Sequence, residues 1–241
     1  EALARLAEDT PVEEGEDSGA TPRPEAPEAA LEKPLRLHDL RLDAIAEVLT
    51  GNGAGTVLDL GCGEGRLLQR LARQRGIARL VGVDPSVRSL EGAARRLHLD
   101  REGASLRERV TLQMGSLTYG DRRWQGFDAA VLSEVIEHVE PSRLSALELA
   151  LFGDARPGLV VVTTPNRDYN ALFPDLAADA LRHPDHRFEW TRAEFADWAR
   201  TVAERHGYAV DLRPLGPVDE ALGAPSQMAL FTRADGQGGP A

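Results

Sequence analysis

The sequence has little of what several common protein classes require. Its 241 residues include a single cysteine, Cys62, so an internal disulfide is impossible and a reducing cytoplasm is the compartment we expect. No apolar run approaches the ~20 residues of a membrane-spanning helix, so we expect no membrane partner. Aromatic residues reach only 5%, but apolar residues reach 42%, enough for a packed core. The expected class is a globular domain that folds without disulfides.

An excess of positive charge is also missing, because the formal net charge is −11. The charge is unevenly spread along the chain. Residues 1–33 carry ten acidic and three basic side chains, a balance of −7, so −4 is left for the other 208 residues. The main part of the chain is therefore only mildly acidic. Composition neither supports nor excludes a nucleic-acid partner, since a local basic strip is compatible with this balance.

Residues 1–33 differ in composition from the rest. They are acidic, rich in proline and alanine, and show no sustained hydrophobic period, which predicts a linker or disorder. We expect the chain to be a piece of a longer protein with a folded region upstream; a trimmed terminus is the alternative. The folded domain is predicted at 34–235, followed by a tail at 236–241.

Strand and helix patterns alternate from Pro34 onward. A helical period covers residues 35–50, and residues 55–74 predict a strand, a glycine-rich turn and a helix. Further patterns follow in order: strands at 79–85, 109–115, 127–133 and 158–165, and helices at 86–99 and 134–152. This alternation is typical of an α/β fold with a mostly parallel, doubly wound sheet.

The last part of the chain departs from this alternation. Residues 166–190 form a long irregular stretch. Thr191 and Glu194 then make a T-x-x-E capping box, which predicts a helix to about Arg205. Two strand patterns follow, at 208–216 and 227–233. We expect them to form an antiparallel edge of the sheet.

A glycine-rich turn, L-D-L-G-C-G-E-G, follows the first predicted strand. Gly61, Gly63 and Gly65 let the backbone turn sharply and approach a ligand closely. The dehydrogenase fingerprint G-x-G-x-x-G requires glycine where this chain has Arg66. The pattern G-x-G-x-G instead resembles motif I of the class I S-adenosylmethionine-dependent methyltransferases. That resemblance implies that Asp59 lies near the methionine part of the cofactor.

Three more residues complete the predicted cofactor site at the carboxyl edge of the sheet. Asp84 ends the second strand, where an acid accepts hydrogen bonds from both ribose hydroxyls of a cofactor. Its alternative role is that of a helix N-cap before Pro85. Ser116 follows the third strand and is expected beside the adenine. Ser133 ends the fourth strand and is a further cofactor candidate.

Carboxylates and histidines follow two different strands. Glu134, Glu137 and His138 are spaced i, i+3 and i+4, so one helical face would point all three at one place. The alternative is an ordinary amphipathic helix with solvated acids. His183 and His186 lie in the irregular stretch after strand five, which begins at the same edge. Carboxylates and imidazoles together favour Mn²⁺, Fe²⁺ or Co²⁺, with Mg²⁺ as a weaker substitute.

Three motifs carry a closer resemblance: S-E-V-I-E-H, V-V-T-T-P-N-x-x-Y-N and R-H-x-D-H-x-F-E-W-T-R-x-E-F. In this order they closely resemble the HEN-type RNA 3′-terminal 2′-O-methyltransferases, and the last motif is highly specific. The resemblance implies a class I Rossmann-like methyltransferase fold with a metal-binding insert after strand five. It also implies methyl transfer from S-adenosylmethionine to the 2′-hydroxyl of the 3′-terminal nucleotide of RNA. The RNA itself stays open between a small guide RNA and a cleaved tRNA, and the repair of cut RNA in bacteria is the setting we expect.

The same resemblance assigns roles to individual residues. It implies that the metal ligands are Glu134, Glu137, His138 and His186. The catalytic candidates are Glu134, His138 and His183, and we favour His183 over His138 as the group that removes the hydroxyl proton. Bacterial members of this family work with an RNA end-healing and ligating enzyme, which is therefore the expected protein partner.

Basic and aromatic side chains near the predicted site are candidates for RNA contact. They are Arg41, Arg167, Arg182, Arg187, Arg192, Tyr169, Phe188 and Trp190. Phe188 and Trp190 have an alternative role in core packing, because a long loop needs an apolar anchor. Asn166 and Tyr169 are expected at the pocket floor. The arginine-rich stretches 66–75 and 88–96 are interpreted as solvated helix faces.

Two other functions stay open from the sequence alone. A metal-dependent O-methyltransferase for small vicinal diols would use the same chemistry, but mostly with acids and amides around the metal. A cofactor-binding scaffold in an RNA-repair complex would keep the glycine-rich turn without turnover.

Overall fold

The computed structural model describes residues 37–99, 104–173, 176–177 and 180–234. The predicted linker at 1–33 and the tail at 236–241 lie outside these residues. The helices are α1 (Leu37–Gly51), α2 (Arg66–Ala72), α3 (Val87–Arg96), α4 (Ala104–Arg109), α5 (Leu144–Glu148) and α6 (Arg192–His206). The strands are β1 (Thr56–Leu60), β2 (Arg79–Asp84), β3 (Val110–Met114), β4 (Ala129–Ser133), β5 (Leu159–Pro165), β6 (Tyr208–Leu215) and β7 (Ser226–Arg233).

The strands form one seven-stranded sheet with the order β3-β2-β1-β4-β5-β7-β6. Neighbours from β3 to β5 are parallel, whereas β7 runs antiparallel to both β5 and β6. The predicted mostly parallel sheet with an antiparallel edge is therefore confirmed. The strand order reverses between β1 and β4. Open α/β sheets bind ligands beyond the carboxyl ends of the strands at such a switch point.

Both faces of the sheet are covered by apolar layers. One face packs against α5, the turns after it and α6, with Phe152 and Phe195 at the centre. The other face packs against α1 and α2, with Ile45 and Leu68 at the centre. Helices on both faces of the sheet confirm the predicted doubly wound arrangement.

Among the described helices, none combines the length and apolar character needed to cross a bilayer.

The prediction of one continuous helix at 134–152 is wrong. The chain after β4 instead forms two 3₁₀ turns, Ile136–His138 and Pro141–Arg143, before α5 begins. A π-helical segment, Leu149–Ala155, follows α5. Proline removes a backbone donor and keeps the preceding residue out of the helical region, and Glu140 is accordingly extended, with ψ 131°. Pro141 therefore interrupts the helical pattern in the sequence.

The capping box of α6 is present as predicted. The Thr191 side chain accepts a hydrogen bond from the backbone N–H of Glu194, and the Glu194 carboxylate accepts from the backbone N–H of Thr191. These bonds satisfy two backbone donors that the first turn of a helix leaves without partners. At its other end, α6 stops at Gly207, which has a left-handed backbone with φ 75°.

Replacing Thr191 with alanine should lower the free energy of unfolding by about 1 kcal/mol, because both hydroxyl contacts of the cap are lost. Urea denaturation followed by circular dichroism measures this change. Thr201→Ala is the matched control, since Thr201 lies exposed within the same helix and donates only to the carbonyl of Asp197. Equal stability of the two variants would contradict a stabilising cap.

Candidate active site

A cavity of about 500 Å³ opens at the carboxyl edge of the sheet. Its lining comes from the glycine-rich turn, the ends of β2, β3 and β4, and the segment after His183. The residues include Gly61, Asp84, Ser116, Thr118, Glu134, His138, Arg143 and Arg187. This volume is within the range of small-molecule and cofactor sites. The fold thus places the cavity where the sheet topology predicts a ligand.

The glycine-rich turn needs its glycines for two steric reasons. Gly61 has φ 79°, and a Cβ atom there would lie 2.6 Å from a methyl carbon of Val135. Gly65 has φ 74°, and a Cβ atom there would lie 2.9 Å from the Cβ of Ala93 on α3. The turn therefore passes close to the segment after β4, while α2 and α3 pack tightly behind it.

Asp84 connects β2 to the glycine-rich turn. Its Oδ2 accepts a hydrogen bond from the backbone N–H of Gly63 at 2.9 Å, and its Oδ1 accepts from that of Ser86 at 2.9 Å. The N-cap of α3 is Ser86, whose hydroxyl accepts from the N–H of Ser89, so the alternative N-cap role of Asp84 is wrong. Asp84 lines the cavity and also holds the turn in shape.

Asp59 is a buried carboxyl group beneath the same turn. Its side chain is 2% exposed, and its Oδ2 has no hydrogen-bond partner within the described part of the chain. Burial, together with the negative charge of Asp84, raises the pKa of Asp59 to about 7. A buried acceptor without a partner is costly for the fold, and such sites are often functional. The role of Asp59 beside the methionine part of a cofactor stays a prediction.

The predicted cofactor residues fall into two groups. Gly61, Asp84 and Ser116 line the cavity directly. Asp59, Gly63, Gly65 and Ser133 do not line it. Ser133 instead ends β4 and pairs with Thr163 of β5, so its prediction as a cofactor contact receives no support from the geometry. The sequence locates the turn but does not tell which of its atoms face the cavity.

The structure brings His138, His183 and His186 together. Each offers a ring nitrogen, and these atoms lie within 4.8 Å of one another. The backbone N–H of Arg187 also donates to the carbonyl oxygen of Glu137 at 2.7 Å, so two stretches distant in sequence meet here. Imidazole nitrogens are common ligands of divalent transition metals, and this donor set fits such an ion.

A buried carboxylate holds His186 from behind. The Nδ1 of His186 lies 2.6 Å from Oε1 of Glu189, and neither side chain is exposed to solvent. Because a carboxylate accepts the proton of Nδ1–H, the lone pair of the neutral ring is left on Nε2, the arrangement found behind many metal-bound histidines. The sequence reasoning missed Glu189, although its place three residues after His186 was a usable signal.

Glu189 is itself held by other polar groups. Its carboxylate accepts from the side chain of Asn170 at 2.6 Å and from the backbone N–H of Arg182 at 2.7 Å. Burial alone would raise the pKa of Glu189, but these hydrogen bonds and that from His186 lower it below its usual value. The carboxylate is therefore ionised and suited to orient the imidazole.

The Nδ1 atom of His183 has the opposite hydrogen-bonding role to that of His186. Its Nδ1 accepts a hydrogen bond from the backbone N–H of Asp185 at 3.1 Å. In the neutral ring the proton therefore lies on Nε2, which makes that nitrogen a donor. His186 is thus better suited than His183 to bind a metal through Nε2. The role of His183 as the base stays a prediction. Accepting a proton on Nε2 requires the tautomer with the ring proton on Nδ1, which gives up the hydrogen bond from Asp185.

The two predicted carboxylate ligands differ in surroundings. Glu134 has a left-handed backbone with φ 53°, a strained conformation that often accompanies functional sites, and it lines the cavity. Glu137 is buried and accepts a hydrogen bond from the hydroxyl of Thr164 at 3.0 Å. Neither belongs to the group of ligand atoms within 4.8 Å. The predicted helical face that would have pointed both at the metal is absent, because Glu134 is not helical.

Several predicted RNA contacts are buried instead. Arg41 is 3% exposed, and its guanidinium lies 3.0 Å from the carboxylate of Glu134. Arg182 is fully buried and donates to the backbone carbonyl of Asn166. Tyr169 is also buried and packs edge-on against Phe173. These three predictions are wrong, because the polar or aromatic groups of these side chains have partners inside the protein. The sequence alone does not reveal those partners.

The other RNA candidates stay at least partly accessible. Arg187 lines the cavity and pairs with Glu140 at 2.9 Å. Arg167 is exposed, and Arg192 is exposed but bonded to Asp168 and to a backbone carbonyl. Phe188 and Trp190 are partly buried against the core, which supports their alternative packing role.

Asn166 does not line the main cavity. Its side-chain amide donates to the carbonyls of Leu222 and Ala224, and its side-chain oxygen caps the short helix Arg167–Leu172. Tyr169, buried behind the same turn, is likewise absent from the cavity lining. The expected pocket-floor role of both residues is thus wrong for this cavity, and Asn166 instead fastens the loop before β7.

Comparison with known proteins identifies relatives of this chain. A model of the methyltransferase domain family matches residues 31–210. The small RNA 2′-O-methyltransferase of Mus musculus is 34% identical over an alignment of 220 residues that covers 88% of this chain and 55% of that protein. The chain thus spans about half the length of this curated relative.

Two solved structures are similar over most of the chain. The methyltransferase domain of bacterial CtHen1-CN is 44% identical, with a TM-score of 0.76, and the match covers 81% of this chain and 99% of that one. A chain of the Pnkp1/Rnl/Hen1 RNA repair complex is 25% identical, with a TM-score of 0.59, over 82% of this chain and 41% of that one.

The buried Asp59 predicts a pH-dependent effect on stability. Its pKa is about 7 in the folded protein but near the ordinary 3.8 when unfolded. Its stabilising contribution is therefore complete below about pH 4 and is lost as the pH rises through about 7. Asp59→Asn, which keeps the side chain neutral, should raise the melting temperature at pH 8 and change it little at pH 4.

Thermal melts across this pH range measure the effect, with Asp197→Asn as a control that removes an exposed carboxylate from α6. A difference between wild type and Asp59→Asn that does not vary with pH would contradict an elevated pKa.

Proposed function

From the premise that the chain belongs to the HEN1-type family of small RNA 2′-O-methyltransferases, we propose that it methylates the terminal 2′-hydroxyl at an RNA 3′ end, using S-adenosylmethionine and a divalent metal. The observation that carries this proposal is the cluster of His138, His183 and His186 beside the cavity at the carboxyl edge. His138 lines the cavity and also belongs to the group of possible metal ligands.

The cofactor would occupy the cavity beside the glycine-rich turn. The Asp84 carboxylate, fixed by two backbone N–H groups, can still accept hydrogen bonds from ribose hydroxyls on its remaining lone pairs. Asp59 would face the methionine end, where a positive charge relieves the cost of its burial. The sulfonium methyl is already activated, so the protein mainly aligns it with the attacking oxygen.

A divalent ion, Mn²⁺ in preference to Co²⁺ or Mg²⁺, would supply a Lewis acid that lowers the pKa of a ribose hydroxyl and binds the adjacent 2′ and 3′ hydroxyls of a terminal nucleotide. His138 and His186 would hold it, joined by Glu134 and Glu137 after local adjustment. Glu189 orients His186. The proton of the attacking hydroxyl would pass to His183, in the tautomer whose ring proton lies on Nδ1, or to His138 as the alternative base.

The biological setting we propose is the repair of cleaved RNA, with cleaved tRNA as the substrate class. The similarity to a chain of the Pnkp1/Rnl/Hen1 RNA repair complex supports this setting. An RNA end-healing and ligating enzyme would then be the partner.

A methyl-transfer assay with three RNA ends tests the reaction. We expect transfer to an RNA with a free 3′ diol and none to the same RNA ending in a 3′ phosphate or a 2′-deoxyribose, because these ends lack two adjacent hydroxyls. Chelation should abolish transfer and added Mn²⁺ should restore it. Comparable transfer to the phosphate end, or transfer to a small catechol instead of RNA, would refute the proposal.

The role of Glu189 is tested by metal binding rather than by activity. Glu189→Gln keeps the shape and an acceptor atom but removes the charge behind His186, so affinity for Mn²⁺ should fall about 10- to 100-fold. His186→Ala should abolish binding at this site. Titration calorimetry with Mn²⁺ measures both, and each variant should bind S-adenosylhomocysteine like wild type.

Glu204→Gln is the matched control, since Glu204 is an exposed carboxylate on α6. A Glu189→Gln protein that melts like wild type and binds Mn²⁺ like wild type would show that Glu189 does not support a metal ligand.

A further inference from the structure

A groove with four arginines among its eight lining residues lies between α1, α2 and the end of α3. It encloses about 200 Å³, and we call it the basic groove. Its polar lining consists of Arg66, Gln69, Arg70, Arg73, Arg96, His38 and one acid, Asp39. No residue of the groove lines the cavity of the candidate active site. It is therefore a separate surface feature that the proposed reaction does not use.

The spacing of residues on α2 produces this surface. Positions 66, 69, 70 and 73 are i, i+3, i+4 and i+7, so they lie on one side of the helix and its C-cap. The opposite side of α2, with Leu67, Leu68 and Leu71, is buried in the core. The arginines are thus presented together, toward α1 and Arg96 of α3. The interpretation of stretch 66–75 as a merely solvated face overlooks this shared concave surface.

Only part of the positive charge in the groove is neutralised. Arg70 pairs with Asp39 at 3.3 Å and with Asp43 at 2.9 Å, and Arg96 pairs with Glu64 at 3.0 Å. Arg66 and Arg73 are exposed, and neither forms an ion pair within the part of the chain that the structure describes. Two guanidinium groups therefore remain for an external anion. This is notable in a chain whose net charge is −11.

His38 is a partly buried histidine in the lining of the groove. Its Nε2 is buried and has no hydrogen-bond partner among the described residues. Burial, followed by the positive charges of Arg41 and Arg66, lowers the pKa of His38 to about 4. The imidazole is therefore neutral at physiological pH and offers hydrogen-bonding capacity without adding charge. The arginines, not the histidine, make the groove positive.

Two elements of the groove, α1 and α2, also reach the candidate active site or the glycine-rich turn. His38 lies one helical turn before Arg41, whose guanidinium contacts Glu134 at the cavity wall. Arg66 directly follows Gly65, the last glycine of the glycine-rich turn. These two connections link the groove to the wall of the cavity, an arrangement that suits a chain-like ligand whose end lies in the cavity. The lining contains one apolar side chain, Leu42, so it suits a polyanion better than a peptide with apolar anchors.

We propose that the basic groove binds backbone phosphates of the RNA whose 3′ end is methylated, with Arg66 and Arg73 as the principal contacts. This inference rests on the proposed function for the identity of the RNA. Guanidinium groups match phosphate geometry and make bidentate hydrogen bonds. Such contacts carry no sequence preference, so they hold an RNA end in place whatever its bases are.

The test compares the double variant Arg66→Gln/Arg73→Gln with the control Arg122→Gln/Arg200→Gln. The control removes the same charge from exposed positions on elements that pack against the opposite face of the sheet. Each protein is assayed with a long single-stranded RNA and with a dinucleotide, both carrying a 3′ diol. Binding of the long RNA is also measured by fluorescence anisotropy over a series of salt concentrations, with S-adenosylhomocysteine present.

For the long RNA, the double variant should raise KM about tenfold with kcat unchanged, and the slope of log affinity against log salt should fall by about 1.4, or 0.7 for each lost contact. The dinucleotide should be methylated equally by the double variant, the control and wild type.

Equal KM and equal salt slope in the double variant and the control would overturn the proposal that the basic groove binds RNA. So would an equal loss on the dinucleotide, which would place the effect at the active site. If wild type methylates neither RNA, the proposed function fails, but the salt slopes still decide whether the groove binds RNA.

Discussion

The buried hydrogen bond between His186 and Glu189 is the interaction on which the rest of the proposed site depends. Glu189 also accepts from Asn170 and from the backbone of Arg182, and the Arg182 guanidinium donates to the Asn166 carbonyl. One polar network therefore joins the end of β5 to the segment that carries the histidines. Buried networks whose members are satisfied favour a single arrangement, since any other leaves polar groups without partners. This explains how an irregular stretch can present a ring nitrogen at a defined place.

The sheet supplies the other half of the site. The switch point between β1 and β4 places the glycine-rich turn and the segment after β4 side by side, and Val135 contacts Gly61 so closely that no side chain fits there. Glu134 leaves β4 through a left-handed backbone, which directs the following turn toward the histidines. Cofactor cavity and histidine cluster are adjacent because both extend from the ends of neighbouring parallel strands.

Arginines have two distinct roles in this acidic chain. Arg41 and Arg182 are buried and hold carboxylate or carbonyl groups of the site in place. Arg66 and Arg73 are exposed along one side of α2 and remain available to phosphates. Net charge therefore says little about RNA binding here. What matters is whether a guanidinium has an internal acceptor, because a satisfied donor contributes to the fold and an exposed one to association.

Local pattern was enough to determine the alternation of strands and helices, the glycine-rich turn and the T-x-x-E cap of α6, because each depends on residues close together in the chain. The motifs around His138 and His186 also indicated two segments of one site. The break in the helix after β4 could have been predicted from Pro141, because proline acts on its own neighbours in the chain. Sequence could not show that Arg41 and Arg182 are buried, or that Glu189 orients His186. Those facts depend on contacts between distant segments, and only the folded chain decides which polar groups find partners inside it and which remain for a ligand.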